Sequence, residues 1–331
     1  MSSQQLILVS HATDIAAARR AGVQLGNALG FDETLSGQLA IAITEAATNI
    51  LKHAGSGRIL IAPAPVPGSA IDVLALDTGP GIRDVAQSMQ DGVSTVGTPG
   101  NGLGAMRRLS ARFDVYSAPG KGTGVFMRIG GGAAPELLEA GAVCVAMPGE
   151  DACGDGWSMR ADDHGAGLLM SDGLGHGPEA ARATAAALAV FEARPGLAPA
   201  ALIDAAHIAL RSTRGAALAA VRLDADNDSL SFAGIGNISA CVRTDGDCKQ
   251  LMSHNGIVGH NMRKVQAFSH PWPADALFVM HSDGLSKQWD LDAYPGLARC
   301  HPALIAGILY RDFGRGRDDA TVAVIRRRRR T

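Results

Sequence analysis

Aromatic residues make up only 4% of this chain of 331 residues, and no apolar run approaches the roughly 20 residues of a membrane-spanning helix. No basic segment followed by a short apolar stretch opens the sequence, as a secretory signal peptide would. The formal net charge is only -2, so the chain has no general positive field to attract nucleic acid. These absences predict a protein without a membrane span and without a nucleic-acid partner.

Cysteine is also infrequent, and the five thiols do not occur in the paired spacings that hold zinc. An odd number of cysteines without such spacing predicts free thiols in a reducing, cytoplasmic environment. Glycine is abundant, with 41 residues, and 47% of the residues are hydrophobic. This composition is typical of a globular protein, and the length allows two domains of ordinary size. The single run of like charge, Arg326–Arg330, is interpreted as a solvated basic tail.

A long amphipathic helix is predicted over residues 35–53, where apolar residues recur with helical spacing. Glu45 and Asn49 lie four residues apart in this helix and therefore share one face. An exposed polar face is the commoner explanation of such a pair. The chemical alternative is that the Asn49 side-chain oxygen binds a magnesium ion and that Glu45 orients or deprotonates an attacking hydroxyl group.

Two glycine-containing loops follow this helix. A predicted strand over 71–76 leads into Asp77, with glycines two and four residues further on, and a glycine cluster at 100–104 opens a helix predicted to end at Arg112. A buried aspartate at a strand end can accept a hydrogen bond from an exocyclic amine such as that of adenine, and nearby glycines let a flat base approach the backbone. Amide groups at a helix N-terminus favour phosphate oxygens. The ordered set of motifs predicts a nucleotide site.

These motifs, together with the segment Gly120–Gly124, resemble the Bergerat-fold ATPases and kinases, and most closely the RsbT-like anti-sigma-factor serine kinases. The resemblance covers about residues 5–130 and implies ATP with Mg2+ as cofactor, with Glu45 as the catalytic base. It also implies a serine or threonine of a STAS-domain protein as the substrate, and it makes a homodimer possible. The residues that it implies for the nucleotide and its magnesium ion are Asn49, Asp77, Gly79, Gly81, Gly100, Asn101, Gly102, Leu103, Gly104 and Thr123.

After a glycine-rich segment, predicted to be a linker over 131–139, the pattern changes to short strands with aspartates at their edges. Clustered carboxylates repel one another unless cations neutralise them, and ligands that are all oxygen favour magnesium or manganese. Two such ions would activate a water molecule for attack on a phosphate group. The alternative is that these aspartates are ordinary turn residues. The four strand-edge positions are Asp155, Asp172, Asp283 and either Asp318 or Asp319.

This second half resembles the SpoIIE-type branch of the PPM serine/threonine phosphatases, in its RsbX-like form. The resemblance covers about residues 140–327 and implies an αββα sandwich that holds two Mn2+ or Mg2+ ions. The motifs that carry it are Ser171–Gly177, Ala233–Ile238, His281–Leu285 and Asp318–Val322. The metal ligands that it implies are Asp155, Asp172, the Gly173 carbonyl group, Asp283 and Asp318, with Asp151 and Asp319 as the alternatives to Asp155 and Asp318.

The whole sequence therefore predicts an α+β chain in two domains, a Bergerat-type α/β sandwich followed by the phosphatase sandwich. The predicted bounds are 1–130 for an ATP-binding kinase domain, 131–139 for the linker, 140–327 for the phosphatase domain and 328–331 for a basic tail. The predicted function is a bifunctional partner-switching regulator of STAS-domain proteins, in a sigma-factor pathway or a stressosome-like complex. The alternative is that the first domain only binds a STAS or sigma-factor partner under the control of ATP, and that the phosphatase alone is catalytic.

Overall fold

A computed structural model of the chain describes residues 4–65, 68–89, 102–131 and 137–328. These residues form two compact units that do not follow the sequence order throughout. The first unit comes from Gln4–Ala134 and also includes Arg299–Arg311. The second comes from Pro135–Ala298 and Asp312–Thr331. The predicted domain bounds, which place residues 140–327 in one domain, differ from these units at Arg299–Arg311 and stay a prediction.

The first unit is an α/β sandwich, as predicted for this half of the chain. Its elements in chain order are β1 (Gln5–Val9), α1 (Ala12–Ala28), α2 (Glu33–Ala54), β2 (Gly57–Pro63), β3 (Ala70–Asp77), α3 (Val85–Ser88), α4 (Gly102–Leu109), β4 (Arg112–Ser117) and β5 (Thr123–Gly130). The strands form an antiparallel sheet of five with the order β1-β2-β3-β5-β4. Apolar side chains of α1, α2 and α4 form one core with those of β2, β3 and β5.

Helix α2 carries the polar pair predicted for chemistry, and its ends are well defined. It begins after Asp32, whose Oδ1 accepts a hydrogen bond of 2.7 Å from the Leu35 amide group. It ends at Gly55, which has a φ of 77° that residues with a side chain rarely adopt. Ile43 and the other apolar residues of its buried stripe face the sheet. The predicted helix over 35–53 is confirmed within two residues at each end.

The predicted end of the next long helix, at Arg112, is wrong. Helix α4 ends at Leu109, and Arg112 instead begins β4. There it pairs with Arg128 of β5 in the antiparallel register. Pairing with β5 satisfies the backbone hydrogen-bonding groups of this segment. The helical pattern of the sequence did not indicate this partner strand.

In the second half of the sequence, short strands dominate. Among the helices of the described residues, none combines the length and the hydropathy that crossing a bilayer requires. The elements in chain order are β6 (Leu138–Val145), β7 (Asp155–Asp162), β8 (Gly165–Gly173), α5 (Pro178–Ala193), α6 (Pro199–Ala209), β9 (Ala216–Asp224), β10 (Ser229–Ile235), β11 (Ser239–Thr244), β12 (Asp247–Leu251), β13 (Phe268–Pro271), β14 (Leu277–His281), α7 (Pro302–Phe313) and β15 (Ala320–Arg327).

The second unit contains two antiparallel sheets of five strands, with the orders β13-β10-β9-β8-β7 and β12-β11-β14-β15-β6. Apolar side chains from both sheets form one shared core. Strand β8 shows the alternation that this arrangement requires, because Leu168 and Met170 lie in the shared core and Leu169 packs with α5 and α6. The two sheets therefore lie face to face, with α5 and α6 on the outer face of the first sheet.

Strand β15 extends into the charge run at the end of the sequence. Arg326 Nε donates a hydrogen bond of 2.9 Å to Glu139 Oε2, and the Arg327 guanidinium group lies 4.8 Å from the centre of the Trp272 ring. Both arginines belong to the sheet, because their backbones pair with β6. The interpretation of Arg326–Arg330 as a solvated run is therefore wrong at its first two positions. Residues 329–331 lie outside the described residues.

Candidate functional site

Each sheet of the second unit contributes a pair of the aspartates that were predicted for a metal centre. Asp155 begins β7 and lies directly opposite Asp172 of β8 in the antiparallel register, so adjacent strands deliver them as predicted. Asp283 follows β14 and Asp318 precedes β15, which are neighbours in the other sheet. The order of the strands thus brings together residues that are up to 163 positions apart in the sequence.

The Ser282 side chain joins the two pairs. Its hydroxyl group donates a hydrogen bond of 2.6 Å to Asp155 Oδ2 and accepts one of 3.0 Å from the Thr321 amide group. Ser282 immediately precedes Asp283, and both Ser282 and Asp155 are buried. The bond to Asp155 crosses from one sheet to the other, and the bond from Thr321 anchors Ser282 within its own sheet, so Ser282 holds the two pairs of carboxylates at a common edge of the sandwich. The sequence analysis gave Ser282 no role of its own, although its motif was quoted.

The pKa values of Asp155, Asp172 and Asp318 reflect burial first and the charges of neighbouring carboxylates second. Burial raises the pKa of Asp155 well above its ordinary value, and the Asp172 carboxylate adds to this effect. Burial, followed by the charges of Asp283 and Asp318, raises the pKa of Asp172 to about 7. Burial and the Asp283 carboxylate also raise the pKa of Asp318. Asp155 and Asp172 are therefore poorly solvated, and the carboxylates of Asp283 and Asp318 act on Asp172 electrostatically, so that a divalent cation among them would lower their electrostatic energy.

Asn237 adds an amide group to this cluster. Its Nδ2 donates a hydrogen bond of 2.7 Å to Asp283 Oδ2, and its amide group partly offsets the rise in the pKa of Asp172. Asn237 follows β10, at the same edge of the sandwich. Its motif, Ala233–Ile238, contributed to the family resemblance without any role for this side chain. Only the strand order shows that it lies between carboxylates of both sheets.

The structure separates the alternatives at two of the predicted positions. Both carboxylate oxygens of Asp319 accept hydrogen bonds from backbone amide groups, over 2.8 and 2.9 Å, and so fix the loop before β7. Asp318 makes no such pair of bonds, and its pKa responds to the Asp283 carboxylate. Asp151 is exposed, whereas Asp155 is buried. These observations favour Asp155 and Asp318 over their neighbours as metal ligands.

The residues of this edge have the chemistry of a site for hard cations, although no group of three or more acidic, histidine or cysteine side chains among the described residues lies close enough together to hold an ion as placed. Asp155 and Asp283 each use one oxygen as the acceptor for a protein hydroxyl or amide donor. Asp172 Oδ2 is buried and has no hydrogen-bond partner. An unsatisfied buried polar group costs about 1–3 kcal/mol, and a divalent cation would satisfy it.

The backbone beside Asp172 is closely packed. A Cβ atom on Gly173 would lie 2.3 Å from the Ala180 carbonyl oxygen of α5, so no other residue fits here without moving the helix. The Gly173 amide group donates a hydrogen bond of 3.0 Å to the Gly154 carbonyl oxygen. These contacts fix the Gly173 backbone next to Asp172, and the predicted role of its carbonyl group as a metal ligand stays a prediction.

In the first unit, Glu45 and Asn49 face the beginning of α4. A Cβ atom on Gly102 would lie 3.0 Å from Asn49 Nδ2 and 3.4 Å from Glu45 Oε2. The absence of a side chain at Gly102 therefore lets the α4 backbone approach both polar groups. An amide-rich helix start beside a carboxylate and a carboxamide is an arrangement that suits a phosphate group with its magnesium ion.

The other residues predicted for the phosphate-binding cluster fall into two groups. Leu103 packs against the helix–sheet core, and Gly104 is buried within α4. Gly100 and Asn101 lie outside the described residues, so their predicted contacts with phosphate stay predictions.

Asp77, at the end of β3, accepts the hydrogen bonds that organise a second part of this unit. Its Oδ1 accepts a bond of 2.8 Å from the Gly79 amide group and one of 3.2 Å from the Thr123 amide group. Burial raises the pKa of Asp77, and these two N–H groups oppose the rise. Because both bonds go to Oδ1, the backbone orients the carboxylate without using Oδ2, which is the arrangement an acceptor for an exocyclic amine needs.

Two glycines in left-handed conformations bring the loops around Asp77 into contact. A Cβ atom on Gly81, at a φ of 76°, would lie 2.1 Å from the Ala118 carbonyl oxygen. A Cβ atom on Gly122, at a φ of 70°, would lie 2.1 Å from the Asp77 carbonyl oxygen. Gly79 is also confined, although less tightly, since its Cβ would lie 2.7 Å from the Ala54 Cβ of α2. The loop after β3 is therefore pressed against the loop before β5.

Arg311 of α7 also connects these two loops. Its Nη1 donates a hydrogen bond of 2.7 Å to the Asp77 carbonyl oxygen, and its Nη2 donates one of 2.7 Å to the Lys121 carbonyl oxygen. The side chains of Leu304 and Ile308, on the same helix, approach β5 at a glycine. No sequence pattern indicated Arg311, because it lies 234 positions after Asp77.

Two family models match the chain. The model described as Stage II sporulation protein E (SpoIIE) matches residues 162–328, half of the chain, and the model described as histidine kinase-like ATPase domain matches residues 8–129. The chain belongs to the SpoIIE family and carries a histidine kinase-like ATPase domain before the SpoIIE region. The predicted fusion of an ATPase-type domain with a SpoIIE-type phosphatase domain is therefore confirmed.

Two curated relatives from Bacillus subtilis (strain 168) match the two parts separately. The serine/threonine-protein kinase RsbT is 37% identical over 124 residues, which are 37% of this chain and 93% of RsbT. The phosphoserine phosphatase RsbX is 23% identical over 139 residues, which are 42% of this SpoIIE-family chain and 70% of RsbX.

Solved structures are similar to this SpoIIE-family chain as well. One, from work on the bacterial stressosome as a modular system adapted to control secondary messenger signaling, has 31% identity and a TM-score of 0.54, and covers 58% of this chain and 100% of its own. A crystal structure of RsbX in complex with magnesium has 19% identity and a TM-score of 0.52, and covers 59% of this chain and 98% of its own. The second likeness concerns the fold alone.

Proposed function

We propose that the SpoIIE-type half hydrolyses phosphoserine or phosphothreonine on a protein, with two Mn2+ or Mg2+ ions held by Asp155, Asp172, Gly173, Asp283 and Asp318. The observation that carries this proposal is the buried, unpartnered Asp172 Oδ2 directly across the sheet from Asp155. The similarity to RsbX, a phosphoserine phosphatase, supports the reaction class. The all-oxygen ligand set favours magnesium or manganese, and the RsbX structure of similar fold is in complex with magnesium.

When bound, a pair of divalent cations supplies Lewis acidity toward the phosphoryl oxygens and a nucleophilic water at neutral pH. The chain's own residues orient the carboxylates that hold the ions. Ser282 positions Asp155 through its bond of 2.6 Å, and Asn237 positions Asp283 through its bond of 2.7 Å. Asp319 fixes the loop that carries Asp155. Such supporting contacts set the metal affinity and the orientation of the ligands toward the ions.

Metal dependence tests this half of the proposal. Adding Mn2+ to chelator-treated protein is expected to restore phosphate release from a phosphorylated STAS-domain protein and to raise the melting temperature. At 100 times the dissociation constant, binding to the folded state alone stabilises by about 2.7 kcal/mol, which is roughly 5–10 °C for a domain of this size. Differential scanning calorimetry and a phosphate assay measure the two effects.

The matched control for the metal titration is Asp245→Ala, at an exposed turn. It is expected to behave as the wild type, because Asp245 lies on a loop tip between β11 and β12. Phosphate release that continues at the wild-type rate in excess chelator, with no thermal shift on adding manganese or magnesium, would contradict the metal assignment.

We further propose that the first half binds ATP with Mg2+ and transfers its terminal phosphate to a serine or threonine of a STAS-domain protein. In this proposal Asp77 binds the adenine amine, Asn49 holds the magnesium ion and Glu45 accepts the proton of the attacking hydroxyl group. The position of Gly102 against Glu45 and Asn49 supports it. The 37% identity to the kinase RsbT also supports it.

Labelled ATP distinguishes this kinase function from a domain that only binds a partner under the control of ATP. The protein is incubated with labelled ATP and each of a panel of STAS-domain proteins, with and without a sigma factor. Transfer of label to a serine or threonine, mapped by mass spectrometry, is the expected result. Nucleotide-dependent binding of a STAS or sigma-factor partner without any transfer would favour the binding module instead.

A further inference from the structure

A cationic cavity lies beside the candidate metal centre in the second unit. Its volume is ≈ 530 Å³, and three of its five lining side chains are basic while none is acidic. The residues that line it are Ser286, Lys287, Gln288, Arg315 and Arg317. No described carboxylate forms an ion pair with the three basic side chains, all of which are exposed. The three basic side chains are therefore available to pair with an anion that enters the cavity.

Two antiparallel segments build this cavity and connect it to the metal centre. The Ser286 amide group donates a hydrogen bond of 2.9 Å to the Phe313 carbonyl oxygen, and the Arg315 amide group donates one of 2.9 Å to the Gly284 carbonyl oxygen. Leu285 and Gly314, which lie between these two hydrogen bonds, form an antiparallel β-bridge. Main-chain bonds thus fix both segments, so the basic side chains project from a defined backbone.

The same two segments carry metal-centre carboxylates at their ends. Asp283 lies three residues before Ser286, and Asp318 directly follows Arg317. Three residues span at most about 10 Å, so the cavity lies within the reach of a few residues of peptide bound at the carboxylates.

We propose that this cavity binds an anionic group of the phosphoprotein substrate, a few residues from the phosphoserine that is cleaved. Guanidinium groups bind carboxylate and phosphate through paired N–H donors, and an ammonium group adds a point charge. The anion is an acidic side chain or a second phosphate group on the same substrate. This specificity rests on the proposed phosphatase function, and it selects substrates whose phosphoserine has acidic neighbours.

A set of phosphopeptides tests the cavity. Each peptide carries a phosphoserine that is flanked by aspartates, by alanines or by a second phosphoserine. The full-length protein is compared with Lys287→Ala, Arg315→Ala, Arg317→Ala and the triple variant. The ratio of kcat/KM for acidic over alanine-flanked peptide is expected to fall about tenfold in the triple variant, mainly through KM, and to fall with added salt in the wild type. The doubly phosphorylated peptide shows whether a phosphate or a carboxylate is preferred.

Lys249→Ala, at an exposed position on β12, is the matched control for removal of one surface cation, and it is expected to keep the wild-type ratio. Fluorescence anisotropy with labelled peptides measures their affinity for the protein, and a chelator prevents turnover during the measurement. Equal affinity of the wild type for the acidic and the alanine-flanked peptide would overturn the cavity assignment. Preferential binding of the acidic peptide without turnover of any phosphopeptide would instead contradict the proposed phosphatase function.

An independent observation, the pair of bonds from Arg311, carries a second inference. Its guanidinium group holds the backbone carbonyl groups of Asp77 and Lys121, one in each of the two loops around the candidate adenine site. We infer that Arg311 is a positioning residue for the nucleotide pocket. The inference rests on the proposed ATP-binding function, and it makes a residue from the second half of the sequence part of the first unit's site.

Nucleobase selectivity separates positioning from a general structural role. Arg311→Ala is expected to reduce the preference for ATP over GTP about tenfold, measured by competition with a fluorescent ATP analogue, because Asp77 loses its fixed orientation. Arg311→Lys, which can keep one of the two hydrogen bonds, is expected to retain part of the preference for ATP over GTP. Arg20→Ala on the exposed face of α1 is the control. A lower melting temperature with unchanged selectivity would overturn the inference, and a wild type that binds no nucleotide would contradict the proposed ATP site.

Discussion

Replacing Asp172 by alanine is expected to lower the rate of phosphate release at least about 100-fold, since altering even the outer partners of a metal ligand costs about 10- to 100-fold. Asp172 is the carboxylate with a buried, unpartnered oxygen, and Asp283 and Asp318 both influence its pKa. The same variant is expected to bind ATP as the wild type does, because Asp172 lies in the other unit from Asp77. A phosphate assay and nucleotide titration measure the two properties.

Two comparisons make this result specific. Asp245→Ala removes an exposed carboxylate from the same unit and is expected to retain full turnover. The manganese-induced rise in melting temperature is expected to be lost in Asp172→Ala and kept in Asp245→Ala. If Asp172→Ala released phosphate at the wild-type rate, the assignment of the metal centre would be wrong.

Replacing Glu45 by glutamine is expected to abolish transfer of phosphate to the STAS-domain substrate while ATP affinity stays within about twofold. General base catalysis contributes about 100- to 10,000-fold, and glutamine keeps the shape of the side chain without its basicity. Glu45 lies next to Asn49 and the Gly102 backbone, whereas the candidate adenine contacts are at Asp77. Labelled ATP measures transfer, and anisotropy with a fluorescent ATP analogue measures binding.

Glu33→Gln, at the exposed first turn of the same helix, is the matched control for Glu45→Gln and is expected to transfer phosphate normally. A wild-type protein that transfers label while Glu45→Gln transfers it equally fast would remove Glu45 from the proposed mechanism. Equal binding of a STAS-domain partner by both proteins, without transfer by either, would favour the binding-module function.

Several features of the site follow from local sequence. Asp155 and Asp172 stand at the edges of two short apolar strands separated by a tight turn, so their pairing depends only on the register of a hairpin. Glu45 and Asn49 share a face because a helix repeats every 3.6 residues. Hydrophobic periodicity and turn residues reflect interactions over a few neighbouring residues, so a single sequence is enough to predict these features.

Other features depend on long-range packing and gave no local signal. In the sequence, Asp318 and Asp319 are equivalent candidates for the metal ligand. They differ in the structure because both Asp319 oxygens accept hydrogen bonds from backbone amide groups more than 160 positions away. Asn237 and Ser282 gained roles only because β10 and β14 end near the same carboxylates. In each case the deciding partner is remote in sequence, so neither spacing nor composition could indicate it.

The sequence by itself determined the two-part α+β organisation, the helix that carries Glu45 and Asn49, and the strand-edge aspartates, because apolar periodicity and glycine turns are local properties. Only the tertiary structure decided that Ser282 connects Asp155 to the second sheet and that Asp319 accepts hydrogen bonds from backbone amide groups. It also decided that Arg311 connects the loops of Asp77 and Lys121. These decisions are hydrogen bonds between distant segments, and they form only when the packing of whole sheets and helices brings a donor within about 3 Å of its acceptor.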